Sequence, residues 1–444
     1  MKEFQVLYLP IGVPTFDLAA ARSAFERSKA MLHELSDAIV VPDDMLLSID
    51  GLKQFIETKE PDLILLQNVT FAHAAYTYEV IRWLDAPVLL WTLPEPVVDG
   101  SRLRLNSLTG AFSAGNALKD IKGHFDYVFG SPDDPDAVRS IGAAIRAAQV
   151  KHALRHLNIA SVGITPQGFG FGRAMDADMV KHFGANLVSI EARELIQKAK
   201  TFTQDEYMPY IEAAKERTTG LGSIPEENLH AFARLYKAYK DFVEQQEIGA
   251  LASRCWPDYF TEYGTPVCAV LSMLNDDGVA SSCEDDVYGA LSMYIGTMLS
   301  HKATFFGDPV SLNEEENTIT YWHCGMAACS LAINDCAKVG VHPNRKIGPT
   351  MEFGCKPSGK ATVFRISKKV DGGFGFYILR GKILDKPKQF CGTSIVVKTE
   401  HDAKDTITQS VTQGLEPHFV VIYGDVADEL TYLANMLGME TLNH

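Results

Sequence analysis

Five short β-rich runs separated by stretches of helical periodicity fill the first 157 residues, and this alternation restricts the fold more than any other feature of the chain. The runs are FQVLYLPI, AIVVPD, DLILLQN, PVLLWTLP and FDYVFGSP. Between them, DLAAARSAFERSKAMLHELS, IDGLKQFIETK, FAHAAYTYEVIRWL and LTGAFSAGNALKDI place apolar residues three to four apart. Parallel strands need crossover connections, and strands buried on both faces read as nearly unbroken apolar runs. The pattern therefore predicts a parallel sheet covered on both sides. The strand ends LLQNVTF and LLWTLPEP lie where open α/β sheets bind ligands.

A second alternation begins at NIASVGITPQGFGFGRAMDADMVKHFG. Its glycines at 168, 170 and 172 invite comparison with a dinucleotide fingerprint, but the position that GxGxxG requires is Arg173. A flexible loop on the substrate side is the expectation, and a nucleotide-dependent dehydrogenase lacks its motif. A long helix is expected over PEENLHAFARLYKAYKDFVEQQEIGALASRC. From about residue 345, glycine, β-branched and aromatic residues with the turns PSGK and DGGF predict antiparallel β-structure, a small barrel or sandwich. The chain closes with PHFVVIYGD and the helical VADELTYLANMLG. The expected organisation is α/β: parallel-sheet domains over 1–157 and 158–344, then a β-rich, barrel-like domain over 345–444 that carries His418.

The 444 residues exceed one ordinary core, which agrees with several domains. A formal net charge of −15 argues against nucleic acid or an anionic membrane as partner. An anionic substrate would need local cationic contacts. MKEFQVLYLPIGVP reads as a first strand and not as a signal peptide. No run approaches the roughly 18 apolar residues of a membrane span. The eight cysteines fall between Cys255 and Cys391 without a CxxC pair, which fits reduced thiols in a cytoplasm.

Four stretches hold the candidate metal ligands. SSCEDDVYG offers Glu284, Asp285 and Asp286; FFGDPVSL offers Asp308; PHFVVIYGD offers His418; TYWHCGMAAC offers His323 beside Cys324. Carboxylates with neutral imidazole suit a manganese- or magnesium-type ion, whereas structural zinc favours thiolates. Each stretch has a plainer reading. Acidic residues before an apolar helix complement its dipole, Asp308 before Pro309 suits a turn, and a histidine beside a strand is often packed in a core.

The order of these pieces resembles the L-fucose and L-arabinose isomerase family. The likeness is strongest in GVASSCEDDVYGAL, FFGDPVSLNEEENTITYWHCGMA and GLEPHFVVIYGD, and looser at VLLWTLPEP. In that family a glutamate, an acidic residue some two dozen positions later and a histidine near the C-terminus bind the metal; Glu284, Asp308 and His418 hold those places here. The resemblance implies two Rossmann-like domains with a β-rich third, Mn²⁺ with Mg²⁺ or Co²⁺ as substitutes, and a hexamer whose neighbours help to close each pocket.

It also implies an aldose–ketose isomerase that passes a proton between C1 and C2 of an open-chain sugar through an enediolate. Glu284 and Asp308 would share ligand and proton-transfer duties. His418 would complete the coordination, and His323 would be a further ligand or a donor to the sugar oxygens. Trp91 and Phe169 are candidate walls against the sugar carbons. Asp285 and Asp286 are expected as a helix cap and a solvated or supporting carboxylate. The substrate could be a deoxyhexose, a pentose or a sugar with an anionic C6 group such as sulfoquinovose, for which Arg102, Arg104, Arg173, Arg345 and Lys356 are candidate contacts. The alternative is a non-catalytic sugar-binding protein, in which the ligand set would be idle.

Overall fold

A computed structural model describes residues 2–443. Two compact units emerge, Met1–His152 with Asp428–Gly438, and Ala153–Ala427 with Met439–His444.

The first unit alternates β1 (Val6–Ile11), α1 (Leu18–Leu35), β2 (Ile39–Val40), α2 (Ile49–Ile56), β3 (Leu63–Asn68), α3 (Ala74–Trp83), β4 (Val88–Thr92), α4 (Ser107–Lys122), β5 (Asp126–Phe129) and α5 (Pro135–Leu154). Its five strands form a parallel sheet in the order β2-β1-β3-β4-β5. Successive side chains of a strand point to opposite faces, and β1 supplies both. Val6 and Tyr8 pack with Phe25 of α1 and Ile141 of α5, while Leu7 and Leu9 pack with Leu52 of α2 and Leu118 of α4. The apolar runs are unbroken because both faces are buried. Asp17 starts α1 by accepting the amide hydrogens of Ala19 and Ala20 at 3.1 and 3.0 Å. The C-terminal helix Ala427–Met436 brings Tyr432 and Met436 against this core.

Trp91 sits on β4, an inner strand of this sheet, and is fully buried. Its ring lies 6.3 Å from that of Tyr8, and its indole N–H donates to the Gly130 carbonyl at 2.9 Å. With a strand on each side and helices over both faces, this position offers no wall to a sugar. Trp91 is a core residue here.

The second unit opens with a four-stranded parallel sheet of β6 (Asn158–Val162), β7 (Asn186–Ile190), β8 (Ile248–Ser253) and β9 (Ala280–Cys283), in the order β9-β8-β6-β7. Helix α6 (Glu226–Gln245) precedes β8, and α7 (Cys268–Asp276) precedes β9. The helix expected to run to Cys255 thus stops at Gln245. Glu247 takes a left-handed φ of 50°, and IGALAS becomes β8 between β9 and β6. Its small apolar residues fit helix and strand periodicity alike, and burial between two parallel neighbours selects the strand.

Helix α8 (Val287–Ser300) follows β9 and is buried along most of its length. A helix apolar on nearly all sides is one enclosed by the core. It touches β8 on one side and, on the other, β12 (Ser358–Lys368) and β15 (Phe419–Tyr423) of an antiparallel region. That region also contains β10 (Phe305–Asn313), β11 (Thr318–His323), β13 (Phe374–Ile383) and β14 (Thr393–Thr399). These six strands run in the order β14-β11-β10-β15-β12-β13, with the short strands Phe353–Gly354 and Glu440–Asn443 added in parallel beside β14 and β13, and β13 pairs again with β14. The chain is therefore mixed α/β, with parallel sheets and a β-rich region. The N-terminus of α8 lies where the parallel sheet meets that region.

Candidate active site

The turn between β9 and α8 explains how three consecutive carboxylates acquire three different settings. Glu284 and Asp285 both adopt left-handed φ, 59° and 54°. Such a conformation is uncommon outside glycine and costs about 1–2 kcal/mol per residue. It twists the chain so sharply that the three side chains diverge.

Asp286 caps α8, its Oδ1 accepting the Gly289 N–H at 2.8 Å. The same carboxylate receives the two Arg365 guanidinium nitrogens at 2.6 and 3.1 Å and faces His418 Nδ1 at 2.9 Å. Both Asp286 and Arg365 are fully buried. Burial alone would raise the Asp286 carboxyl, but Arg365 and His418 hold it well below the usual carboxylate range. Asp285 turns the other way and accepts from Ser161 Oγ and Thr165 Oγ1 at 2.8 and 2.9 Å. It is 3% exposed, so neither it nor Asp286 is solvated. Burial pushes the Asp285 carboxyl up to about 7.

Glu284 reaches His418 Nε2 at 3.0 Å, and Asp308 Oδ1 lies 3.5 Å from the same nitrogen. His418 stands immediately before β15, with Asp286 on one ring nitrogen and the two acids on the other. Burial would lower its pKa, yet the bonds to Asp286 and Glu284 raise it to about 9. Burial also favours the protonated form of Glu284, but His418 and His323 outweigh it and the net shift is downward. On Asp308 burial prevails and lifts the carboxyl to about 6.

Ligand atoms of Glu284, His323 and His418 all fall within 4.8 Å of one another. Asp308 stands outside that triad and approaches it through His418. His323 closes β11 and is buried, which lowers its pKa to about 4 and leaves the ring neutral. Its Nδ1 accepts the Cys324 N–H at 2.9 Å, so the ring proton resides on Nε2.

A cavity of about 350 Å³ opens beside these groups, lined among others by Glu284, His323, Trp256, Phe260, His342 and Arg345. Asp308 lines a second cavity of about 360 Å³, with Glu416 and Tyr377. The GFGFG segment packs on the site as a short 3-10 turn at Gly170–Gly172. The Phe169 and Phe171 rings lie 6.3 and 5.3 Å from that of His418. A Cβ on Gly172 would come within 2.7 Å of the Asp286 Cα, so only glycine lets this loop approach so closely. Phe169 thus joins the cluster, and Trp91 belongs to the core of the first unit.

The chain is 58% identical over 442 residues, 99% of both chains, to a sulfoquinovose isomerase of Clostridium sp. (strain MSTE9). It is 36% identical over 99% of both chains to a sulfoquinovose isomerase of Priestia aryabhattai, and 33% identical over 98% to one of Alkalicoccus urumqiensis. The chain belongs to the sulfoquinovose isomerase family. It matches no protein-family profile. The likeness to L-fucose and L-arabinose isomerases rests on the short motifs alone.

Within this family member, sequence reasoning passed over Arg365, Trp256 and His342. Arg365 lies in ATVFRISKK, where a charged residue in a strand pattern reads as solvent-facing. His342 lies in GVHPNRKIG, whose turn residues mask it; its Nδ1 accepts the amide hydrogens of Asn344 and Arg345 at 3.3 and 3.2 Å. Trp256 carried the one available signal, a large aromatic residue three positions after a parallel strand.

Proposed function

We propose that this chain interconverts sulfoquinovose and the corresponding ketose, as an aldose–ketose isomerase whose reacting groups are gathered around His418. The observation that carries the site assignment is the convergence of Glu284 and Asp308 on one imidazole nitrogen that Asp286 orients from behind.

The donor set fits a divalent ion of the Mn²⁺ class, with Mg²⁺ or Co²⁺ as alternatives: two carboxylates and two imidazoles, without a thiolate. Among the described residues, His418 is the sole ion-pair partner of either carboxylate. Glu284, His323 and His418, whose ligand atoms lie within 4.8 Å of one another, would hold the ion, with Asp308 beside His418 as a fourth ligand, and the ion would supply Lewis acidity at the sugar's carbonyl end. Asp286 fixes the ring of His418 and raises its basicity, the usual service of a carboxylate behind a ligating histidine.

Glu284, ionised and on the wall of the cavity of about 350 Å³, takes the proton from C2, exchanges it with solvent and delivers one to C1 by way of an enediolate. Asp308, beside His418, moves the proton between O2 and O1. Phe169 and Trp256, 6.5 Å apart edge to face, form an apolar wall beside these groups.

We further propose a cytoplasmic homo-oligomer, a hexamer by the resemblance to fucose isomerases, built from two Rossmann-like domains and a barrel-like third. An apolar cleft on the first unit, with Leu108, Phe112 and Tyr127 exposed at its rim, supports self-association. Among the described residues no helix is long and apolar enough to cross a membrane.

The test is isomerisation of sulfoquinovose in deuterated water, before and after exhaustive chelation. Deuterium should enter at C1 of the ketose, and activity should vanish on chelation and return with Mn²⁺. Glu284→Gln should lose about 10²–10⁴-fold in turnover. Full retention of the substrate hydrogen would oppose proton transfer, and undiminished activity after chelation would remove the ion from the scheme.

A further inference from the structure

We infer that Arg345 is the contact that holds the sulfonate of the substrate. This rests on the proposed substrate and adds to it the residue that distinguishes a C6 sulfonate from a C6 hydroxyl. Arg345 lines the same cavity of about 350 Å³ as Glu284 and His323, a volume near the lower end of the roughly 300–1,000 Å³ usual for small-molecule sites. A sugar whose C1–C2 end faces those two groups shares that enclosure with the guanidinium.

The setting of Arg345 is that of a binding group and not of a structural ion pair. Its side chain is exposed, and among the described residues no carboxylate pairs with it. The guanidinium carbon lies over the Phe260 ring, 5.6 Å from its centre. The segment is held from beneath, because buried His342 accepts the Asn344 and Arg345 amide hydrogens. Phe260 in turn meets the His342 ring edge-on at 5.0 Å. A fork of N–H donors braced in this way suits the oxygens of a permanently ionised sulfonate.

The other cations considered are differently engaged. Lys356 pairs with Asp335 at 2.5 Å. Arg102 and Arg104 bond within the first unit, to the Thr15 carbonyl and to Asp99. Arg173 acts on Asp285 and is absent from the cavity wall. Glu284, Asp285, Asp286 and Asp308 make the surroundings acidic in a chain of net charge −15, so an anionic substrate needs a local cation.

The experiment measures inhibition by two open-chain polyols, 6-deoxy-6-sulfoglucitol and glucitol, in the Mn²⁺-loaded wild type, Arg345→Gln, Arg345→Lys and Arg173→Gln. Wild type should bind the sulfonated polyol about 10- to 100-fold more tightly than glucitol. Arg345→Gln should erase that difference while glucitol binding stays within about twofold, and Arg345→Lys should keep part of it. An unchanged wild-type ratio in Arg345→Gln overturns the assignment, as does its loss in Arg173→Gln alone. A wild type that does not prefer the sulfonated polyol would instead overturn the substrate reading. Circular dichroism of each variant shows that the fold is retained, as expected for an exposed side chain.

Discussion

The Asp286–Arg365 pair allows stability and positioning to be separated by experiment. Both side chains are fully buried and joined by two hydrogen bonds of 2.6 and 3.1 Å. Arg365→Met leaves a carboxylate in the interior without its guanidinium. Asp286→Asn leaves a buried guanidinium whose remaining acidic neighbour, Glu416, is 3.9 Å away. Removing one partner of such a pair costs about 3–5 kcal/mol. The double variant Asp286→Asn/Arg365→Met removes both charges, and the new amide can still accept the Gly289 N–H at the start of α8. Its destabilisation should fall short of the sum of the single losses by about 2–3 kcal/mol.

Activity should follow a different order, because only Asp286 touches His418. Arg365→Met keeps that carboxylate and should lose little in kcat/KM once the protein is folded. Asp286→Asn and the double variant should both lose about 10–100-fold in ion affinity or kcat/KM, the usual effect of removing a partner behind a ligand. Urea unfolding of the metal-free proteins at pH 7, with kcat/KM measured against Mn²⁺ concentration, reads both quantities. Additive stability losses, to within about 0.5 kcal/mol, would deny the buried pair. Recovery of activity in the double variant would deny that Asp286 positions His418.

Two further outcomes follow from buried side chains. Asp285 holds a proton in the folded chain from its ordinary 3.8 up to about 7, so stability should fall as pH rises through that window, by at most about 4 kcal/mol. Asp285→Asn should therefore raise the urea midpoint at pH 8 and hardly change it at pH 4; equal gains at both would refute the titration. Trp91→Phe should cost about 1–3 kcal/mol, through a small void and the unmet Gly130 carbonyl, without altering KM; a several-fold change in KM with unchanged stability would return Trp91 to the site.

The parallel sheet of the first unit was legible because each inner strand is buried on both faces, and the unbroken runs LILLQN and VLLWT admit few other uses. The hairpin of β12 and β13 was legible for a different reason, since DGGF marks a turn between two β-rich runs. The strand at IGALAS was not. Nothing local distinguishes its small residues from a continuation of α6, and only the neighbouring strands decide the matter. Trp91 illustrates the same limit: an aromatic residue near a strand end reads as a ligand wall until the helices that cover it are known.

At the candidate site, adjacency in sequence conveyed which residues were available but not where each pointed. Glu284, Asp285 and Asp286 occupy consecutive positions, and helical geometry alone would set them about 100° apart around one axis. Two left-handed residues replace that geometry, sending Glu284 to the His418 Nε2 side, Asp285 to the hydroxyls of Ser161 and Thr165, and Asp286 to Arg365. The residues that stabilise this turn are distant in the chain: Ser161 lies 124 positions from Asp285, Arg365 lies 79 from Asp286, and His418 lies 132 from Asp286. A backbone strain of a few kcal/mol persists only where surrounding bonds over-determine it. The long-range bonds are those constraints, which is why the acidic cluster could be read as a candidate site while the division of labour within it required the fold.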